Sequence, residues 1–291
     1  MADASASGPP PGPPPGPPPG PRTDSRGIVD AAGLFAHVHF RRVAPGAAVL
    51  RPYVEQYWLI DWDLAEPYAS HIVPHPSVNV VFQRFAAQEP FAEVAGIGLD
   101  LFTQKLEGRG RGRVCGVKFR PGGFRPFAPS APVSAWTGRR LVPLEEVFEQ
   151  VPAGALDAVL TPADEQARVA ALDAFLLSLG PTPDPQADLA MALAERIRTD
   201  RGIRRVSAFA RAEDMSVRAL QRLFSAYVGV GPKWLILRHR IHEALEHAEA
   251  DEKVDWADVA ATLGYADQAH LIRDFTATVG VPPTAYAPPP R

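Results

Sequence analysis

The spacing of hydrophobic positions changes twice along the chain. From Gly27 to about Ala128, short apolar runs are rich in β-branched and aromatic residues and bounded by Gly and Pro. Examples are Tyr57-Trp58-Leu59-Ile60, Val78-Asn79-Val80-Val81-Phe82 and Val114-Cys115-Gly116-Val117-Lys118-Phe119. Such runs predict strands, and their regular spacing predicts a barrel or sandwich. From Leu144 to Leu179 the period becomes helical: Leu144, Val147, Phe148 and Val151, then Leu172, Phe175, Leu176 and Leu179. Gly180-Pro181-Thr182-Pro183-Asp184-Pro185 reads as a linker, and from Gln186 onward nearly everything reads as helix.

That helical part contains an internal repeat. Shifted by 51 residues, 210–232 falls on 261–283 with nine identities in 23 positions, among them Leu220/Leu271, Arg222/Arg273, Phe224/Phe275, Gly229/Gly280 and Pro232/Pro283. Each copy starts with a short apolar helix, Val206, Phe209 and Ala210 in one and Ala257, Ala260 and Ala261 in the other. A turn follows, with Gly264 in the second copy, and then an N-cap candidate, Ser216 or Asp267. The next helix buries Leu220, Leu223, Phe224 and Tyr227, or Leu271, Phe275 and Val279. It closes on Gly-Val-x-Pro, with Gly229 or Gly280 suited to the left-handed position after the last turn. Two short helices around a tight turn form a helix-turn-helix, and the chain has two. Trp234, Leu237, Ile241, Leu245 and Ala248 space out as one amphipathic helix holding the two apart. The expected fold class is α+β. A β-rich domain over 27–180, with a cupin-like barrel as one form, precedes a linker at 181–185 and an all-α domain over 186–291.

Composition adds three points. Of 291 residues 32 are Pro, and 8–21 holds only Pro and Gly in a PPPG repeat whose period of four excludes a collagen helix. With no apolar side chains to bury, residues 1–26 read as a disordered, partly polyproline-II tail. The single cysteine, Cys115, excludes an internal disulfide and reads as a buried, inert thiol. No apolar run approaches the roughly 18 residues of a membrane span, and no basic-then-apolar leader opens the chain, so a cytoplasmic location is expected.

Net charge is −3, but its distribution is uneven. Residues 196–240 carry 11 Lys/Arg against Asp200, Glu213 and Asp214, whereas 241–291 carry three cations against nine acids. The basic segment contains the first helix-turn-helix, where arginines can neutralise phosphates and release counterions.

Residues 203–287 resemble the DNA-binding domain of AraC/XylS-type transcription regulators. The resemblance rests on Ser216-Val217-Arg218-Ala219-Leu220-Gln221-Arg222-Leu223-Phe224, on the run from Val259 to Leu271, and on Phe275 through Gly280-Val281-Pro282-Pro283-Thr284-Ala285-Tyr286. One departure is Ala287, where that family usually has a basic residue. Tyr57-Trp58, the run Pro74 to Phe82, the run Gly116 to Phe124 and Val142-Pro143-Leu144 are similar to a domain carried by a subset of these regulators. The resemblance implies a β-rich domain that senses an effector or dimerises, and two recognition helices that enter the major groove of double-stranded DNA. The residues expected to read or position the DNA are Ser216, Arg218, Gln221 and Arg222 in the first unit, and Gln268, His270 and Arg273 in the second. Arginine reads guanine bidentately, glutamine pairs with adenine, and Ser216 caps its helix while touching a phosphate. Further candidate partners are a small-molecule effector, RNA polymerase and a second copy of the chain.

The alternative is a metal-dependent cupin-like enzyme with a helical accessory domain, whose ligands would come from His37-Val38-His39 and His71-x-x-x-His75. The glutamate that usually follows the His-x-His is replaced by Phe40-Arg41-Arg42-Val43. Asp61 and Asp63 alternate on one strand without a base or nucleophile beside them, and no phosphate-binding, dinucleotide or nucleophile-elbow motif is present. No cofactor, metal ligand or catalytic residue is therefore expected.

Overall fold

The computed structural model describes residues 27–86, 88–106, 110–250 and 254–285, and the expected tail at 1–26 lies outside them. In chain order the elements are α1 (Ala31–His37), β1 (His39–Val43), β2 (Val54–Leu64), β3 (Tyr68–Ile72), β4 (Asn79–Phe85), β5 (Phe91–Ala95), β6 (Phe102–Leu106), β7 (Gly110–Phe119), β8 (Val142–Pro143), α2 (Leu144–Val147), α3 (Ala155–Leu160) and α4 (Glu165–Ser178). The helical part continues with α5 (Pro185–Thr199), α6 (Val206–Ala212), α7 (Val217–Tyr227), α8 (Pro232–Ala250), α9 (Trp256–Thr262) and α10 (Gln268–Val279). The fold is α+β.

Six strands form one antiparallel sheet in the order β1-β2-β7-β4-β5-β8, and β3 pairs with β6 as a separate two-stranded ribbon. The period of two decides what each face meets. In β4, Val80 and Phe82 enter the main core, where Phe82 meets the Phe175 ring of α4 edge-on with centroids 5.1 Å apart. Val81 and Phe85, one residue out of phase, face the ribbon instead. Trp58 lies against Gly116 and Trp62 against Gly112, because a Cβ at either glycine would overlap the indole. One element escaped the strand pattern: α1, a two-turn helix capped by Asp30, whose Oδ1 accepts from the Gly33 amide at 2.8 Å.

The main core does not stop at the linker. Buried residues run without a break from Tyr57, Phe82 and Phe119 through Leu193 of α5 and Phe209 of α6 to Phe224 of α7 and Leu235 of α8. A second cluster holds Ile241 and Leu245 of α8, Trp256, Leu271 and Phe275, and it includes Val73 from the β-rich part. The long helix α8 is therefore buried more widely than the single stripe at Trp234, Leu237, Ile241, Leu245 and Ala248 predicts. Leu235, Ile236, Arg238, His242 and Ala244 are buried too. Arg238 donates from Nη2 to the Leu99 carbonyl at 2.6 Å, and the rings of His242 and His75 stack with centroids 3.9 Å apart.

Candidate nucleic-acid interface

The two helix-turn-helix units are built by local rules that act alike in both. Ser216 sits in extended backbone before α7, and its Oγ accepts from the Ala219 amide at 3.1 Å. Asp267 does the same for α10, accepting from the His270 amide at 2.7 Å. Each cap satisfies one of the amides that a helix start leaves open. Gly229 and Gly280, both at φ +86°, take the left-handed conformation that ends each helix. In the turn before α10, Gly264 has φ +75°. The equivalent turn of the first unit uses a non-glycine residue with positive φ, Asp214 at +53°.

Leu220, Leu223 and Phe224 turn inward on α7, which leaves Ser216, Arg218, Gln221 and Arg222 exposed on its outer side. Arg218, Gln221 and Arg222 make no hydrogen bond or ion pair among the described residues, so their donors are open to a ligand. The C-terminal end of α7 is occupied instead. Arg125 donates to the Ala226 carbonyl at 3.4 Å, Tyr227 Oη donates to Asp184 at 2.8 Å, and Thr137 Oγ1 donates to the Gly229 carbonyl at 2.7 Å. The β-rich domain and the linker thus hold one end of the helix and leave its N-terminal half free, the half that contacts base edges in helix-turn-helix proteins.

The second unit presents less. Gln268 and Arg273 are exposed on α10. His270 is half-buried and turned toward its own unit: Nε2 lies 3.6 Å from Asp274 Oδ2, and the ring meets Tyr265 edge-on at 5.1 Å. The 51-residue shift places Ala269 where the first unit has Arg218, and a half-buried Ile272 where it has Gln221. Only the Arg222/Arg273 position keeps the same reading chemistry.

Internal contacts also redistribute the charge surplus of 196–240. Arg196 pairs with Glu213, Arg198 with Glu195, and Arg201 with Glu243 at 3.2 Å, while Arg238 is buried. Arg240 lies over the Tyr265 ring at 5.6 Å, and Arg204 packs against Gly264. Sequence reading did not single out these arginines, because surface and structural arginines look alike without their neighbours. Arg205, Arg211, Arg218, Arg222 and Lys233 remain exposed, a cationic surface confined to the first unit.

Three of the four histidines raised as metal ligands contact other groups. His37 contacts the Gly33 carbonyl through Nδ1 at 2.7 Å, His71 bonds Thr103 at 3.1 Å, and His75 stacks on His242. Among the described residues no three His, Cys, Asp or Glu side chains group to hold a metal ion. Asp61 accepts from Arg113 at 2.5 Å and from Arg168 at 2.8 Å, and these bonds outweigh burial to hold its carboxyl below the ordinary value. Burial pushes the Cys115 thiol up to about 11, which leaves it protonated and inert.

A cavity of about 400 Å³ lies between the six-stranded sheet and the β3–β6 ribbon, with Phe40, Trp58, Phe91 and Phe102 on its walls. Glu93 faces into it, and burial pushes its carboxyl up to about 7 despite a 2.9 Å bond from Gln83 Nε2 and the nearby Arg140. At the far end Pro74 and His75 line the cavity and also touch α8, where His242 Nε2 is 3.4 Å from the Pro74 carbonyl.

Residues 209–288 match the family model described as Helix-turn-helix domain, which covers both capped units. The C-terminal domain is an AraC-type helix-turn-helix domain. Such a domain makes the chain a DNA-binding transcription regulator. Residues 41–142 match a second model, Domain of unknown function (DUF6597), which spans the sheet ahead of the AraC-type domain. No curated protein matches the chain. Among solved structures, ToxT from Vibrio cholerae aligns over 79% of this chain and 97% of its own, with 9% identity and a TM-score of 0.42. Unsaturated fatty acid bound wild-type ToxT from Vibrio cholerae strain SCE256 aligns over 79% and 94%, with 11% identity and a TM-score of 0.42. No helix among the described residues is long and apolar enough to cross a membrane.

Proposed function

We propose that the chain is a one-component, sequence-specific transcription regulator whose two recognition helices, α7 and α10, enter successive major grooves on one face of a duplex. The exposed, unpaired Arg218, Gln221 and Arg222 on the outer side of the capped helix α7 carry this reading. Arginine at the Arg222 and Arg273 positions would take guanine O6 and N7, Gln221 and Gln268 would pair with adenine, and Ser216 and His270 would meet the backbone at the start of each helix. The cavity of the β-rich domain would hold an effector, since its Pro74–His75 wall bears on the helix that joins the two reading units.

The test is selection of bound sites from a random duplex pool with the full chain. Enrichment of a site with two unequal half-sites about 10 base pairs apart is expected. A pool that stays random, with binding that falls steeply with salt for every sequence alike, would overturn the sequence-specific reading.

A further inference from the structure

The cavity under the β3–β6 ribbon carries enough chemistry to name the class of molecule it takes. Its walls are aromatic and aliphatic from both sheets, which fits a flat apolar body. Its volume falls within the roughly 300–1,000 Å³ typical of small-molecule sites. The charged groups buried on its walls, Lys118 and Glu93, have partners inside the protein, and Lys105 and Arg140 are exposed. Lys118 pairs with Glu55 at 3.2 Å, Glu93 accepts from Gln83 and faces Arg140, and the Arg140 guanidinium lies 3.3 Å from the centre of the Phe102 ring. Arg42 lies over Phe40 at 4.9 Å.

The neutral polar groups are not all matched. Ser70 is 3% exposed, lines the cavity, and its hydroxyl has no hydrogen-bond partner. Gln56, Asn79 and Gln104 bring amides to the same space, and an amide both donates and accepts. A hydroxyl left unsatisfied in a buried site costs stability unless a ligand meets it. A charged ligand would bring a further charge beside these buried, already partnered groups, which is expensive.

We infer that this cavity is a binding site for an uncharged, largely apolar aromatic or alicyclic molecule bearing one or two carbonyl or hydroxyl groups, one of which pairs with the Ser70 hydroxyl. The inference rests on the reading of the β-rich domain as the effector-binding part and supplies the chemistry which that reading lacks.

The probe is the neutral naphthyl ketone 6-propionyl-2-dimethylaminonaphthalene, titrated by fluorescence into the full chain beside the anionic 1-anilinonaphthalene-8-sulfonate. Saturable one-to-one binding of the ketone with blue-shifted emission is expected, with the sulfonate at least tenfold weaker. Ala95→Phe, which fills the cavity from β5, should weaken the ketone at least tenfold. Ser70→Ala removes the one unpartnered hydroxyl and should weaken it about three- to tenfold while leaving the melting temperature unchanged or raised. That opposition of binding and stability is what a merely structural Ser70 would not give, and it decides the matter even if Ala95→Phe fails to fold. Binding that does not saturate, ignores both substitutions, or favours the sulfonate would overturn the inference. DNA affinity measured on the same preparations reports separately on the regulator reading, so the failure of one is distinguishable from the failure of the other.

Discussion

Arg222 and Arg273 occupy the same position of the repeat, yet their surroundings differ. The first unit, which carries Arg222, also exposes the cations Arg205, Arg211 and Arg218, whereas Asp267 and Asp274 flank Arg273 in sequence. A bidentate arginine–guanine pair supplies roughly 1–3 kcal/mol of discrimination, about a factor of five to 150. Arg222→Ala should therefore weaken specific binding by the larger part of that range and Arg273→Ala by the smaller, each with loss of preference in one half-site. Fluorescence anisotropy at one salt concentration, with operators altered in either half, measures this, and equal losses would show that local geometry outweighs charge. At the same scale, Glu93 carries a pH dependence whose sign is fixed by its environment. Its carboxyl titrates at 4.5 when exposed and at about 7 in the fold, so the stability it contributes is present below pH 4.5 and is lost as pH rises through 7. In urea unfolding, the stability of the protein relative to Glu93→Gln should fall by on the order of 3 kcal/mol at most between pH 5 and pH 8, and a difference that does not change with pH would remove Glu93 as the cause.

Among the elements, the turn before α10 and the helix α8 are the most exposed to test. Gly264 has φ +75°, and a Cβ there would come within 2.5 Å of Arg204 Nε. Gly264→Val meets both the backbone penalty and that contact, and should cost about 1–3 kcal/mol. Hydrogen exchange should speed up in α9 and α10 while the amides of β2, β4 and β7 keep their protection. Uniform acceleration would place the damage elsewhere. On α8, burial lowers His239 to about 4 and His242 to about 3, so both are neutral in the fold at pH 7. A base with a lowered folded pKa leaves stability intact above 6.5 and removes it as pH falls toward 4, because the unfolded chain takes up the proton first. Nearby Arg198 and Lys118 oppose protonation of His239 while Glu195 and Glu55 favour it, and its buried Nε2 has no partner. His239→Leu should therefore flatten the acid limb of the stability curve without lowering stability at pH 7. An unchanged limb would assign the sensitivity to His242 alone.

For the molecule as a whole, deletion of 1–26 should leave melting temperature and DNA affinity unchanged, since a Pro/Gly repeat brings no apolar surface to bury. A fall of several degrees would mean that the tail packs on the fold. The sequence by itself determined what local physics decides. The two helix-turn-helix units, the caps Ser216 and Asp267, the glycines at 229, 264 and 280 and the strand-rich first half follow from spacing, hydrogen-bonding side chains and the steric freedom of glycine, and all act within a few residues. The outward placement of Arg218, Gln221, Arg222 and Arg273 was legible for the same reason: the apolar stripe fixes the opposite face. Long-range packing alone decided the rest. That one core runs across the linker, that α8 is clasped through Arg238 and His242, and that several arginines are already paired depends on partners many residues away. The cavity is the clearest case. Period two tells that Asn79, Val81 and Gln83 share one face of β4, but only the ribbon laid over that face turns it from a flat surface into a cavity.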